Sequence, residues 1–358
     1  MYRTLVAICL LVSLLGCTAS SETPQPGSQI SLPRLEPADD SLLDAIMPDG
    51  YRLPLHQWSA VAQPQIVVLG LHGFNDYSHA FQPLAQELSV HGITTYAVDQ
   101  RGFGATAQAG RWFGVRSLVE DLRTLTTLLH QRHPQARLYV VGESMGGAVA
   151  LLAAVRHSLP VAGLVLVAPA VWSRDSMPWY QRLALDTVPR IWPGLKLSKA
   201  GIYRTPSDNA VMLQAMADDP LALKKSRVDA LQGITNLMDA ARVAAPKLQS
   251  PTLLLYGEHD EIIPANAFCR MLADLPERDD LRVVLYPQGW HMLPRDCQGA
   301  RVRADIAAWL NDQASALPSG DETPLHGKRM TAFCSKSAPA EFKDRPPVGV
   351  SNAPRQPE

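Results

Sequence analysis

Short apolar runs alternate with longer stretches of helical spacing along most of this 358-residue chain. Val67 to Leu71, Ile93 to Val98, Leu138 to Val141 and Gly163 to Val167 are apolar at successive positions, as strands buried on both faces are. Between them, residues 81–91, 118–130 and 148–157 carry helical patterns. The rhythm returns with Thr252 to Tyr256 and Arg282 to Tyr286. Strands separated by helices predict an α/β fold, a mostly parallel sheet with helices on both faces. Tyr51 to Trp58 reads as an antiparallel edge strand, where Pro54 is tolerable.

The alternation breaks after Val167. From about Val171 to Ala245 no clear strand is visible, an insertion of roughly 75 residues and far longer than an ordinary connection. It holds Trp172, Met177, Trp179, Tyr180, Trp192, Met212, Met216 and Met238, with helical stretches over Asn209 to Met216 and Val228 to Ala240. An apolar, aromatic-bearing insertion over a sheet edge predicts a helical cap. The division expected is a core of residues 45–170 and 246–312 with a cap over 171–245.

The two ends read differently. Arg3 precedes an apolar run from Leu5 to Leu15, too short to span a membrane and suited to a secretory signal over residues 1–16. Leu14-Leu15-Gly16-Cys17 resembles a bacterial lipobox, which implies cleavage before Cys17 and acylation of its thiol. Thr18 follows the Cys; in that resemblance this implies a lipid-anchored cell-envelope protein, at the outer membrane where one exists. Residues 17–44 read as a flexible Ser/Pro-rich tether and residues 313–358 as a disordered tail. Of five Cys, Cys269, Cys297 and Cys334 remain for the body, and export permits one bridge among them. Among pairings the sequence favours Cys269 with Cys297, since Cys334 falls in the tail, and two unpaired thiols stand as an equal alternative.

Composition narrows the function. With 33 basic and 34 acidic residues the net charge is −1, which offers no basic surface for nucleic acid. At 46% hydrophobic and 19% charged, the chain can bury a large core. No His/Cys cluster suggests zinc.

Gly142-Glu143-Ser144-Met145-Gly146 matches G-x-S-x-G, between a strand and a helix as a nucleophile elbow must lie. A Ser hydroxyl needs a base, and on such a fold the order is Ser, acid, His. His259, His291 and His326 follow Ser144 far enough downstream. His291 stands after the last strand, where a loop can carry an imidazole over the sheet edge; His259 adjoins the acid loop and His326 falls in the tail. Glu258, Asp260 and Glu261 all follow the strand ending at Tyr256, and spacing does not choose among them. An oxyanion hole needs two backbone N–H donors. The residue after the nucleophile, Met145, supplies one and Phe74, in the loop after Leu71, the other; His72 braces that loop.

These residues carry a resemblance. Over roughly residues 45–312 the chain resembles the α/β-hydrolase superfamily, in its monoacylglycerol lipase and lysophospholipase branch, often labelled serine aminopeptidase-like. The motifs are His72-Gly73-Phe74-Asn75-Asp76, Asp99-Gln100-Arg101-Gly102-Phe103-Gly104, Gly142 to Gly147 and Tyr256-Gly257-Glu258-His259-Asp260, with Asp219-Pro220-Leu221 in the cap. The resemblance implies a cap inserted after the sixth strand, Asp260 as the acid because the family's acid follows Gly-x-x, His291 as the base, and Phe74 and Met145 as oxyanion donors. Asp99 and Arg101 map to a structural turn. Gln100 stands where many relatives differ.

The activity so implied is hydrolysis of single-chain acyl esters through an acyl-enzyme, without metal or cofactor, on amphiphilic substrates at a membrane. One alternative is a proline-type aminopeptidase of the same fold, whose cap carboxylates hold a substrate ammonium; Asp175, Asp186, Asp208, Asp218 and Asp219 lie in the insertion. Another is a non-catalytic lipid-binding envelope lipoprotein.

Overall fold

The computed structural model describes residues 31–39, 41–59, 61–198 and 204–336. The elements in chain order are β1 (Arg34–Pro37), β2 (Leu42–Ile46), β3 (Arg52–Trp58), β4 (Ile66–Leu71), α1 (Gln82–Val90), β5 (Thr94–Val98), α2 (Val115–Arg132), β6 (Arg137–Glu143), α3 (Met145–Arg156) and β7 (Gly163–Val167). The insertion adds α4 (Trp179–Ile191), β8 (Lys196–Ser198), α5 (Ala210–Asp218), β9 (Lys225–Arg227) and α6 (Val228–Ala244). There follow β10 (Thr252–Gly257), α7 (Ala265–Asp274), β11 (Leu281–Tyr286), α8 (Gly299–Asn311) and α9 (Lys328–Lys336).

Nine strands form one sheet in the order β1-β2-β3-β5-β4-β6-β7-β10-β11. β4 to β7, β10 and β11 are parallel, and β1 to β3 are antiparallel to their neighbours. The two-sided apolar runs have a direct explanation. Leu69, Val140, Leu166 and Leu254 face a core closed by α2, α3 and α7, while Val68, Val141, Val165 and Leu255 face a second core closed by α1 and α8. Each such side chain contributes roughly 1.5–3 kcal/mol when buried. The chain leaves β4 toward β5 on one side and returns to β6 on the other. The loops after β4 and β6 therefore lie at the point on the C-terminal edge of the sheet where the strand order reverses, the place at which open α/β sheets bind ligands in a crevice.

Several expectations are corrected. The stretch read as a tether includes β1 and the start of β2, paired in register Leu35↔Ala45. An edge strand needs backbone partners more than apolar side chains, so composition hid it. Counted with β1, the insertion follows the seventh strand; without that extra edge strand it follows the sixth. β3 is not an edge strand, since β2 and β5 flank it. Pro54 is accommodated there with its carbonyl accepting from Asp99 N at 2.9 Å.

The stretch read as tail is packed through residue 336. Glu322 bridges Val284, Arg282 pairs with Glu322 at 2.6 Å, and Leu317 and Met330 are buried. Cys334 on α9 is bonded to Cys269 on α7, with Cα atoms 5.6 Å apart, and Cys297 is free and exposed. The expected Cys269–Cys297 bridge is thus replaced by one that needs the tail to return to the core, which a sparse apolar pattern did not announce. In the insertion, β8 and β9 form a short antiparallel ribbon where no strand was expected. α6 packs on α3 through residues such as Leu237 and Ala241, so the last insertion helix is part of the core layer. The signal pattern and Cys17 lie outside the described residues.

Candidate active site

β6 delivers Glu143 and Ser144 to the crevice. Ser144 has φ 53° and ψ −110°, and α3 begins at the next residue. That left-handed φ strains a residue bearing Cβ, and bonds on both sides hold it. Ser144 N donates to Val167 O at 2.9 Å, and Ser144 O accepts from Ala170 N at 2.9 Å and Ala148 N at 3.1 Å. The glycines are steric requirements. A Cβ on Gly146 would collide with the Leu71 carbonyl, and one on Gly142 would meet the Gly146 backbone.

The β10 and β11 loops bring two more groups to the same edge. His291 Nδ1 lies 2.8 Å from Asp260 Oδ2, and both side chains are almost wholly buried. Asp260 Oδ1 accepts from Ile262 N at 2.8 Å and Ile263 N at 2.9 Å, which fixes the carboxylate. A carboxylate accepts only, so Nδ1 carries the proton and Nε2 the lone pair. Burial pulls the His291 imidazole down, but the charge and hydrogen bond of Asp260, with Glu143 and Asp296 behind it, outweigh burial and raise its pKa above the ordinary 6.5.

The residues left open by spacing go elsewhere. Glu258 pairs with Arg329 of α9 at 3.1 Å, and Glu261 accepts from Thr205 N at 2.7 Å. The His259 ring packs edge-on to Trp290, and His326 is exposed beside Glu277.

The loop after β4 passes beside the nucleophile, with the Cβ position of Gly73 3.5 Å from Ser144 Cβ. The amides of Phe74 and Met145 donate to no described residue. His72 braces this loop from beneath. Gln100 N donates to His72 Nε2 at 3.0 Å, so Nδ1 carries the proton and donates to Gly73 O at 2.8 Å. Complete burial lowers the His72 pKa and keeps the ring neutral. The Gln100 side chain also donates to His72 O at 2.7 Å. Asp99 accepts from Ser78 N and Ala105 N, and Arg101 binds Asp49 and Asp121, as a structural turn requires.

One cluster was not anticipated. Arg295 Nη2 lies 2.8 Å from Asp76 Oδ2 and 2.7 Å from Glu143 Oε1, with all three side chains buried. Beside it, Asp296 accepts from Ser207 Oγ at 2.6 Å and Trp290 N at 2.7 Å. Burial is the main cause that pushes Asp296 up to about 6, against the lowering effect of those two bonds. Glu143 and Asp76 lie in motifs the sequence exposes, but nothing there pairs them with Arg295.

The insertion meets both rims of the crevice. Pro206 O accepts from His291 N and Met292 N at 3.1 Å each, and Asn209 Nδ2 donates to Arg295 O at 2.9 Å. On the opposite rim Asn75 Nδ2 donates to Ser226 Oγ at 2.7 Å. Among the described residues no group of three His, Cys, Asp or Glu is arranged to hold a metal, and no helix is long and apolar enough to cross a membrane.

Comparison with known proteins gives the family and the fold. The family model described as "Serine aminopeptidase, S33" matches residues 62–298. The chain is 26% identical to a monoacylglycerol lipase of Mycolicibacterium smegmatis over 264 residues, covering 73% of this chain and 93% of the relative. It is 26% identical to the human monoglyceride lipase over 310 residues, covering 82% and 97%. Among solved structures, a monoacylglycerol lipase of Paleococcus ferrophilus superposes with a TM-score of 0.62 at 23% identity, covering 72% of this chain and 98% of that one. A soluble variant of Saccharomyces cerevisiae monoglyceride lipase gives 0.64 at 19% identity, covering 81% and 98%. The fold is the α/β-hydrolase fold.

Proposed function

The chain belongs to the serine aminopeptidase S33 family, and on that ground we propose that it is a serine carboxylester hydrolase acting on monoacylglycerols, lysophospholipids or similar single-chain acyl esters. The observation that carries this is the Asp260–His291 pair, 2.8 Å apart, at the sheet edge where the elbow presents Ser144. His291 Nε2 takes the Ser144 proton as Oγ attacks the ester carbonyl, and Asp260 steadies the imidazolium. The Phe74 and Met145 amides meet the oxyanion. The alcohol leaves with a proton from His291, and water activated by the same ring releases the acid.

Two observations favour an amphiphilic ester. The relatives quoted above are monoacylglycerol and monoglyceride lipases. The insertion exposes Trp179, Tyr180, Leu183, Ile191 and Trp192 along α4 and its C-terminal end, an apolar surface suited to lipid. The peptidase alternative needs an insertion carboxylate free for an ammonium, and those singled out are engaged. Asp175 binds Ser173, Asp186 faces Arg174 at 3.6 Å, Asp208 accepts from Cys297 N, Asp218 from Gln214 and Asp219 from Tyr77.

Export and acylation at Cys17 belong to the same proposal. The Cys269–Cys334 bridge supports it, since disulfides persist in oxidising compartments. Mass spectrometry of the membrane fraction tests the anchor; an unacylated Cys17 there refutes it.

The activity test uses protein lacking residues 1–17, assayed in parallel on esters of rising acyl length, monoacylglycerols and a Pro-anilide. Ester cleavage that disappears in Ser144→Ala is expected. Anilide cleavage alone moves the chain to the peptidases, and silence on every substrate favours the lipid-binding reading.

A further inference from the structure

Three segments must be held at fixed spacing for Ser144 to react. The loop after β4 carries Phe74, the elbow carries Ser144, and the loop after β11 carries His291. The sheet ladder sets strand spacing but ends where these segments begin. Something beyond the strand ends has to join them.

We propose that Arg295 is the positioning residue that sets this spacing, holding the oxyanion loop through Asp76 and the nucleophile elbow through Glu143. Asp76 lies two residues after Phe74, Glu143 immediately before Ser144, and Arg295 four residues after His291. One nitrogen, Nη2, serves both carboxylates, at 2.8 and 2.7 Å. An error at any anchor thus reaches a reacting group within a few bonds. Nη1 adds a contact of 3.7 Å to Met216 Sδ of α5, and Arg295 O accepts from Asn209, so the insertion is tied to the same point.

Stability alone does not account for the cluster. A buried ion pair seldom outperforms an apolar packing of equal volume, because desolvation offsets its attraction. Here two buried carboxylates share one cation, a costly arrangement that places three loops. A single nitrogen makes both carboxylate contacts, so an ammonium can replace part of this arrangement, while only the guanidinium has a second amino nitrogen to reach Met216 as well.

The inference rests on the assignment of Ser144, Asp260 and His291, and its test separates the two. Arg295→Met and Arg295→Lys are assayed on a short, water-soluble ester, with kcat counted per Ser144 that reacts with an organophosphonate. This count excludes misfolded protein. Arg295 is buried and held by Asp76 and Glu143, so kcat is expected to fall about 100-fold in Arg295→Met, the cost of a misplacement near 1 Å, with KM changed less than about threefold. Arg295→Lys is expected to recover part of the loss. Unchanged kcat per reactive site in folded Arg295→Met overturns the inference while leaving the hydrolase reading intact. If Arg295→Met does not fold, Asp76→Asn and Glu143→Gln take its place: reduced kcat per site in both supports the inference, and normal kcat in either overturns it. Wild-type protein without Ser144-dependent activity fails the hydrolase reading itself.

Discussion

The Tyr77 hydroxyl lies 2.6 Å from Asp219 Oδ2, joining the loop after β4 to the end of α5 across 142 positions of sequence. Burial first, and the Asp219 carboxylate second, raise the Tyr77 pKa, so the phenol remains a donor at any working pH. Leu223 N donates to Asn75 O at 2.9 Å close by. With Pro206 to Asn209 bound at the other rim, α5 is secured at both ends over the crevice.

Tyr77→Phe removes one of these ties. A loss of about 1 kcal/mol of stability is expected. Faster amide exchange should appear over residues 219–226 and not in the sheet. Hydrogen exchange followed by mass spectrometry checks it; uniform loosening would contradict the local role.

The raised His291 pKa sets a pH limb. A base must be neutral, so kcat/KM falls as acid protonates it, and the acid limb should lie above 6.5. Glu143 is one of the charges that raise it. Glu143→Gln should therefore move the limb toward lower pH, read from kcat/KM against pH on a soluble ester.

Asp296 gives a stability prediction. Its pKa is raised from 3.8 to about 6, so the folded state holds the proton more tightly than the unfolded chain. Stability is then lost as pH rises through that interval. Asp296→Asn avoids the loss. The Tm of the variant relative to wild type should grow between about pH 4 and 7, and a constant difference would refute the assignment.

The Cys269–Cys334 bridge closes a loop of 65 positions and ties α9 to α7. Replacing both with Ser should cost about 2–4 kcal/mol. Cys297→Ser, at the free exposed thiol, should cost little. Denaturant unfolding with and without a thiol reductant distinguishes the two.

Much of this protein is determined locally. Period and length announce the parallel strands, because a strand buried on both faces must be apolar at every position. The elbow is equally local: Gly142 and Gly146 are demanded by contacts within a few residues and one neighbouring strand. What required the tertiary structure was every choice made by a distant partner. Spacing leaves three carboxylates open in one loop, and the fold sets Asp260, the one the family resemblance implies, against His291, with Glu258 on Arg329 and Glu261 on Thr205. Cys269 joins Cys334 instead of Cys297 because α9 returns to α7. Arg295 finds Asp76 and Glu143 across 219 and 152 positions. Such pairings depend on which loops the sheet order brings side by side, and a strand's own sequence specifies its burial without naming its neighbours.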